Sequence, residues 1–382
     1  MNIPFNKPYM GANELTYIKK AFELGKLSGD GEFTKKCENW LENELNAGKA
    51  LLTPSCTAAL EMAAILLNLE PGDEVILPSY TFVSSANAFL IHGATPVFVD
   101  IKVGNLNIDE NKIESAITKK TKAIVVVHYA GVSCNMDAIL EIANRHNLFV
   151  IEDAAQAIKS KYKDKFLGSM GHFAALSFHE TKNIISGEGG ALLINDARFF
   201  ERAEIIREKG TNRNKFFRGE IDKYTWVDIG SSFLLSEINA AYLWAQLENS
   251  PFILKERMRL WQRYSNLFLE NKYLRYFLMP SITEDCSHNA HIFYFFTKNQ
   301  SQRASLLSYL KKVGIGAVFH YVPLHSSDFG KSKGKSVAED FFVTNFASDT
   351  IIRLPLWVGM TNAMQDFIID QINKWIFSEE NR

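Results

Sequence analysis

The chain has 382 residues, 47% hydrophobic and 22% charged, with 22 Gly and 10 Pro, a globular composition that excludes a disordered, collagenous or disulfide-scaffold protein. Forty-two Lys plus Arg against 43 Asp plus Glu give a formal net charge of -1, so no electropositive field draws the chain to nucleic acid or an anionic membrane. Four scattered cysteines (Cys37, Cys56, Cys134, Cys286) without a C-x-x-C pair exclude a disulfide framework and a zinc site, and neither a membrane span nor an apolar leader after Met1 is visible, so the expected setting is a reducing cytoplasm.

Short apolar runs predict strands at Ala50–Thr53, Glu74–Leu77, Pro96–Asp100, Ala123–Val127, Leu148–Ile151, Ala174–Phe178 and Ala191–Ile194. They are continuous rather than alternating, as strands covered on both faces require. Between them the sequence predicts helices at Thr57–Asn68, Phe82–His92, Asn111–Ile117 and Met136–His146. This strand–helix rhythm points to an α/β layer architecture around a mainly parallel sheet, with ligands beyond the carboxyl ends of its strands.

The rhythm changes after about residue 230. Long helices are expected at Leu235–Leu247 and Ile253–Leu269, then a strand at Ile292–Thr297, a helix at Gln302–Val313, a strand near Gly316–Tyr321 and a terminal helix at Ala363–Phe377. Ser326–Ser336 is expected to be a mobile surface loop. These changes divide the chain into a large domain with an N-terminal arm, 1–250, and a smaller α+β domain, 251–382, the division falling at Ser250-Pro251.

Four features at strand ends carry chemistry. Ser55-Cys56-Thr57 joins a strand to an Ala/Leu-rich helix, where free backbone N–H groups and hydroxyls can cradle a phosphate; simple helix capping explains it equally well in isolation. Phe82, in Pro78-Ser79-Tyr80-Thr81-Phe82, can stack on a flat ring, although an aromatic there is more often core. Asp153, in Glu152-Asp153-Ala154-Ala155-Gln156, ends a buried strand, where a carboxylate needs a partner or serves as a cap. Lys182, in Ser177-Phe178-His179-Glu180-Thr181-Lys182, follows another buried strand, where desolvation suits an amine to Schiff-base chemistry. Taken alone it reads as a surface lysine. Together the four supply a phosphate cup, a ring stacker, a partner for a protonated ring nitrogen and a Schiff-base lysine, the requirements of pyridoxal phosphate.

In that order, with Gly187-Glu188-Gly189-Gly190 following, these segments resemble the DegT/DnrJ/EryC1/StrS sugar aminotransferases over essentially the whole chain. The resemblance implies the fold type I (aspartate aminotransferase-like) architecture and pyridoxal 5'-phosphate as cofactor. It implies Lys182 as the catalytic lysine, Asp153 at the ring nitrogen, Gln156 beside the ring and Phe82 stacked on it, and Cys56, Thr57 and Ser177 at the phosphate. A homodimer with shared active sites is implied as well, Ser232 in Gly230-Ser231-Ser232-Phe233 standing where many relatives place an Asn that reaches the partner's phosphate. Arg213 and His320 are candidates for the substrate, a nucleotide-linked keto sugar, with L-glutamate as amino donor and no metal. A related dehydratase would carry His in place of Lys182, and a non-catalytic regulatory module would have lost this residue set.

Overall fold

The structure is a computed structural model, described for residues 1–271, 277–283, 285–337 and 340–380. Its strands are β1 (Lys49–Thr53), β2 (Glu74–Pro78), β3 (Thr95–Val99), β4 (Thr121–Val127), β5 (Phe149–Asp153), β6 (Lys161–Tyr162), β7 (Lys165–Phe166), β8 (Phe173–Ser177), β9 (Gly190–Ile194), β10 (Cys286–Ser287), β11 (Phe293–Phe296), β12 (Lys335–Ser336) and β13 (Ile351–Leu354). Eight of them form one sheet in the order β1-β9-β8-β5-β4-β2-β3-β12. All its pairings are parallel except those of β9, which runs against both β1 and β8.

The continuous apolar runs are explained by two cores, one on each face of the sheet. Leu52, Ile76, Ile124, Val126, Val150, Ala174 and Leu193 point into one, and their chain neighbours Leu51, Val75, Leu77, Val125, Ile151, Ala175 and Leu192 point into the other. Period-two side chains with both faces covered leave little room inside a strand for a polar residue that has no buried partner. The helix Cys56–Leu66 is buried almost all round, Ala58 through Leu66 with the exception of Glu61, because it is pressed between the sheet and the helix Ser84–Leu90. The helix expected at Met136–His146 has those same bounds.

A further core lies beyond helix Ser250–Glu270. Leu260, Tyr264, Phe293, Phe295, Leu306, Leu310, Ile352, Leu354, Ile368 and Ile372 pack there together with Ile3. The N-terminal arm is threaded into it by Ile3 N–H donating to the Gly314 carbonyl and Gly316 N–H to the Ile3 carbonyl.

Several expectations are corrected. Ser326–Ser336 is ordered: Ser327 Oγ accepts from Gly330 N–H to cap a helix at Asp328–Lys333, and β12 joins β3, with Lys335 Nζ 2.5 Å from Glu74. The strand near Gly316–Tyr321 reduces to one bridge, Val318 to Arg353, since Gly316 is taken by the arm and Tyr321 turns toward a cavity. The unforeseen helix Glu32–Leu45 begins at Gly31, which has no capping side chain; Glu237 supplies the acceptors for Gly31, Phe33 and Thr34 N–H from across the fold. Among the described residues no helix is long and apolar enough to cross a membrane.

Candidate functional site

Strand register brings the critical ends together. Gly190 opens β9 opposite both Thr53 and Ser177, the last residues of β1 and β8, while Asp153 ends β5 beside Val127 and Ala175. A cavity of about 640 Å³ lies over this edge. Cys56, Thr57, Phe82, Asp153, Gln156, Ser177, Lys182 and His320 all line it.

One end is a cup for an anion. Ser55 caps the helix through its Oγ, which accepts from Ala58 N–H at 3.1 Å, and its carbonyl accepts from Ala59 N–H. The N–H groups of Cys56 and Thr57 are therefore left without acceptors among the described residues, at the positive end of an 11-residue helix. Thr57 Oγ1 donates to Ser84 Oγ at 2.8 Å. The antiparallel start of β9 presses on this turn so closely that a Cβ on Gly190 would stand 2.5 Å from the Cys56 backbone nitrogen. Burial pushes the Cys56 thiol well above its ordinary range, so it stays neutral beside the cup.

At the other end Asp153, 6% exposed, accepts from Ser85 Oγ at 2.6 Å and from Ala155 N–H at 3.2 Å. These two donors aim the carboxylate. Gln156 is fixed on both sides, its Oε1 accepting from Ala130 N–H and its Nε2 donating to the Tyr321 hydroxyl. Phe82 is the exposed wall, tilted against Tyr321 with centroids 6.4 Å apart. Lys182 forms no ion pair among the described residues. Desolvation lowers the pKa of its ammonium, with Arg353 adding to the shift and Cys56 and Asp153 opposing it. A phosphate cup, an exposed aromatic wall, a buried carboxylate and a desolvated amine fit pyridoxal phosphate. No metal-binding group exists among the described residues.

Neighbouring Glu152 faces away and is wholly buried. It accepts from Gly168, Met170 and Gly171 N–H and from His128 Nε2, which clamps the end of β5 to the loop before β8. The Asp153 position is thus set from behind.

Sequence reasoning missed much of the far wall. Tyr321, His291, Arg257, Arg353, Phe5 and Asn6 all reach the cavity. Arg257 is held by the carbonyls of Ala290, His291 and Leu356, and burial pushes its pKa down to about 9. Arg353 donates twice to the Phe319 carbonyl and sits 4.8 Å over the Phe5 ring. Nothing local marks these arginines; only the folding of the C-terminal part over the sheet brings them here. Ser84 and Ser85 had a signal, a Ser-Ser pair directly after Phe82 and Val83. His320 is fixed by the Tyr129 hydroxyl at 2.6 Å and stacked on Tyr321 at 3.7 Å.

Two expected residues lie elsewhere in the chain. Arg213 pairs with Glu208 at 3.8 Å, stacks on Phe217 and lines a separate cleft of about 680 Å³ with Lys26 and Arg207. Ser232 is exposed and bridges to Glu208. Around them Phe217, Tyr224, Trp226 and Ile229 are exposed, Trp226 by 81%.

Residues 8–373 match the DegT/DnrJ/EryC1/StrS aminotransferase family. The chain is 32% identical to the spore coat polysaccharide biosynthesis protein SpsC of Bacillus subtilis, over 97% of this chain and 96% of that one. It is 31% identical to GDP-perosamine synthase of Caulobacter vibrioides, over 96% of each. Among solved structures, the PMP-form of the putative sugar aminotransferase Spr1654 from Streptococcus pneumoniae superposes with a TM-score of 0.91 at 25% identity, covering 100% of both chains. Helicobacter pylori PseC, an aminotransferase of pseudoaminic acid biosynthesis, gives 0.89 at 26%, covering 99% of this chain and 100% of that one.

Proposed function

The chain belongs to the DegT/DnrJ/EryC1/StrS aminotransferase family, with pyridoxal phosphate as cofactor, and we propose that it aminates C4 of dTDP-4-keto-6-deoxy-D-glucose. L-glutamate is the donor, and the products are dTDP-4-amino-4,6-dideoxy-D-galactose and 2-oxoglutarate, in a pathway to a surface polysaccharide. The carrying observation is the placement of Lys182 and Asp153 in one cavity beside the cup of Cys56 and Thr57. Four segments support the particular sugar through their resemblance to enzymes making this product: Lys26-Leu27-Ser28-Gly29-Asp30-Gly31, Val127-His128-Tyr129-Ala130-Gly131, Ile206–Arg213 and Lys223-Tyr224-Thr225-Trp226.

When bound, pyridoxal phosphate supplies an electrophilic carbon for amines and a protonated ring that withdraws electrons. The chain does the rest. Cys56 and Thr57 N–H and Ser177 Oγ would hold the phosphate, joined by Thr57 Oγ1 once its proton turns from Ser84. Asp153 holds the proton on the ring nitrogen, with Ser85 and Ala155 fixing its aim. Phe82 and Gln156 set the plane of the ring. Lys182, whose lowered pKa leaves more free amine, removes the α-proton of glutamate and later delivers a proton to C4 of the sugar. Delivery from one face fixes the configuration at C4. Two copies of the chain share each site, Ser232 and the exposed aromatic loop around Trp226 reaching the partner's cavity.

The test supplies purified protein with glutamate and dTDP-4-keto-6-deoxy-D-glucose and assigns C4 from NMR coupling constants. A small H3–H4 coupling is the galacto product, and a large one gives the gluco epimer. Turnover only with another nucleotide-linked keto sugar overturns the substrate and leaves the chemistry. Borohydride reduction of the holoenzyme must fix the cofactor's mass on Lys182, and a label on another lysine overturns the mechanism.

A further inference from the structure

Two residues of the N-terminal arm, Phe5 and Asn6, line the cavity, and the mechanism above gives them nothing to do. Both are half-buried. The arm is fixed on either side of them. Ahead of them Ile3 is bonded to Gly314 and Gly316, and the Pro4 carbonyl accepts from Trp357 Nε1 at 3.1 Å. Behind them the Tyr9 carbonyl accepts from Gln246 Nε2 at 3.1 Å. Phe5 itself lies under the Arg353 guanidinium, 4.8 Å from its ring centroid. With both ends and Phe5 held, Asn6 has little freedom to leave the rim of the cavity.

Asn6 Nδ2 donates at 3.1 Å to the carbonyl of Glu180, two residues before Lys182. A backbone carbonyl only accepts, so the amide nitrogen must lie on that side. The turn that carries the lysine is otherwise tied to itself. Lys182 N–H donates to the His179 carbonyl, Glu180 N–H to the Gly187 carbonyl and Thr181 N–H to His179 Nδ1. Among the described residues, every other hydrogen bond and ion pair of His179–Lys182 ends within Ser177–Glu188. Just past the lysine, Asn183 Nδ2 donates at 2.8 Å to the Asn289 carbonyl. Lys182 therefore stands between one tie to the arm and one to the C-terminal part. We propose that Asn6 is a positioning residue for Lys182: its bond to the Glu180 carbonyl fixes the turn from one side as Asn183 fixes it from the other. Together they set where the lysine amine stands for its two proton transfers. Such a transfer needs its partners within about 3 Å, and a misplacement of about 1 Å can cost on the order of 100-fold in rate.

The inference rests on Lys182 being the amine that reacts, and one arm of the test needs no reaction. Asn6→Leu keeps the volume of the side chain and removes the donor. In full-length holoenzyme, backbone amide exchange across His179–Asn183 is read by mass spectrometry. The expected result is exchange faster by about 3-fold or more in N6L, the scale set by one lost hydrogen bond, with exchange in strand Phe173–Ser177 unchanged. Wild-type exchange at the turn in N6L overturns the proposal.

The other arm mixes holoenzyme with L-glutamate alone and follows the cofactor's absorbance, so no sugar enters. N6L is expected to lower the maximal rate by about 5- to 100-fold and to leave the glutamate concentration for half the maximal rate within about 2-fold of wild type. An unchanged maximal rate with a raised half-saturation would make Asn6 a substrate contact and overturns the proposal. Faster exchange with wild-type kinetics overturns it too, since the bond would then serve the fold alone. If N6L does not melt cooperatively, Asn6→Ala decides by the same two measurements. A borohydride label on another lysine refutes the mechanism of the previous section, while the exchange comparison still decides whether Asn6 holds the turn.

Discussion

Gly190→Ala is the substitution whose effect the geometry specifies most closely. The added methyl would meet the backbone of Ser55 and Cys56, 2.5 Å from the Cys56 nitrogen, inside the separation that nonbonded carbon tolerates. Neither side can yield by rotating a side chain. Gly190 is held between Thr53 and Ser177 in an eight-stranded sheet, and the opposing atoms are the first turn of a helix packed on that sheet. Relief requires the turn and β9 to part by several tenths of an ångström, which moves the free N–H groups away from the phosphate. Overpacking of this kind costs about 1–3 kcal/mol. If the strain falls on the cofactor-bound form, the dissociation constant for pyridoxal phosphate rises about 5- to 150-fold. Absorbance titration of the cofactor-free variant measures the constant, and thermal melting of the same sample shows whether the sheet absorbed the strain. Wild-type affinity in a folded variant would refute the reading of this turn as the phosphate cup.

Asp153→Asn keeps the fold and loses a charged partner in a nearly dry site, at about 3–5 kcal/mol, or roughly 150- to 5,000-fold in rate; turnover near wild type would make Asp153 a structural cap. For Glu152, burial raises the carboxyl pKa, but the bond and charge of His128 and the Gly168 and Gly171 N–H groups outweigh it, so the folded pKa lies below the ordinary value. The unfolded chain then binds more protons through that window, so this stability is present above about pH 4.5 and is lost as pH falls through the folded pKa. Glu152→Gln is less stable near neutrality, and its melting temperature falls less than that of wild type on acidification; a parallel decline in both proteins would contradict the assignment. Mixing inactive Lys182→Ala with an inactive variant disrupted at Ser231-Ser232 restores part of the activity if sites are shared, because one site of each heterodimer carries neither defect. Demonstrated heterodimers without recovery would mean that one chain completes its own site.

Much of the large sheet was legible because its information is local. A strand covered on both faces is apolar wherever no buried partner waits, and Val75-Ile76-Leu77 or Ala123–Val127 shows that in the sequence itself. The strand ends carry Cys56, Asp153, Ser177 and Lys182 because a polar side chain on a buried strand needs either a cleft to open into or a buried partner of its own, as Glu152 has in His128. Reading them as one set needed nothing beyond the parallel-sheet rule that such ends share an edge. The Ser55 cap was visible for the same reason, since cap and capped N–H are three residues apart.

What the tertiary structure decided comes from partners far apart in the chain. Helix Glu32–Leu45 starts at a glycine and looks uncapped until Glu237 arrives from the other end of the large sheet region. The His291 ring is held against Asn183, and the aim of Asp153 depends on Ser85 in front and on the Glu152 clamp behind. Arg257 and Arg353 become cavity residues only when helix Ser250–Glu270 and β13 close over the sheet. A sequence exposes the chemistry that each segment can offer, because composition and periodicity are set residue by residue. Which lone pair, carboxylate or cation meets which partner is fixed by contacts between distant segments, and those exist only once the loops joining them have closed.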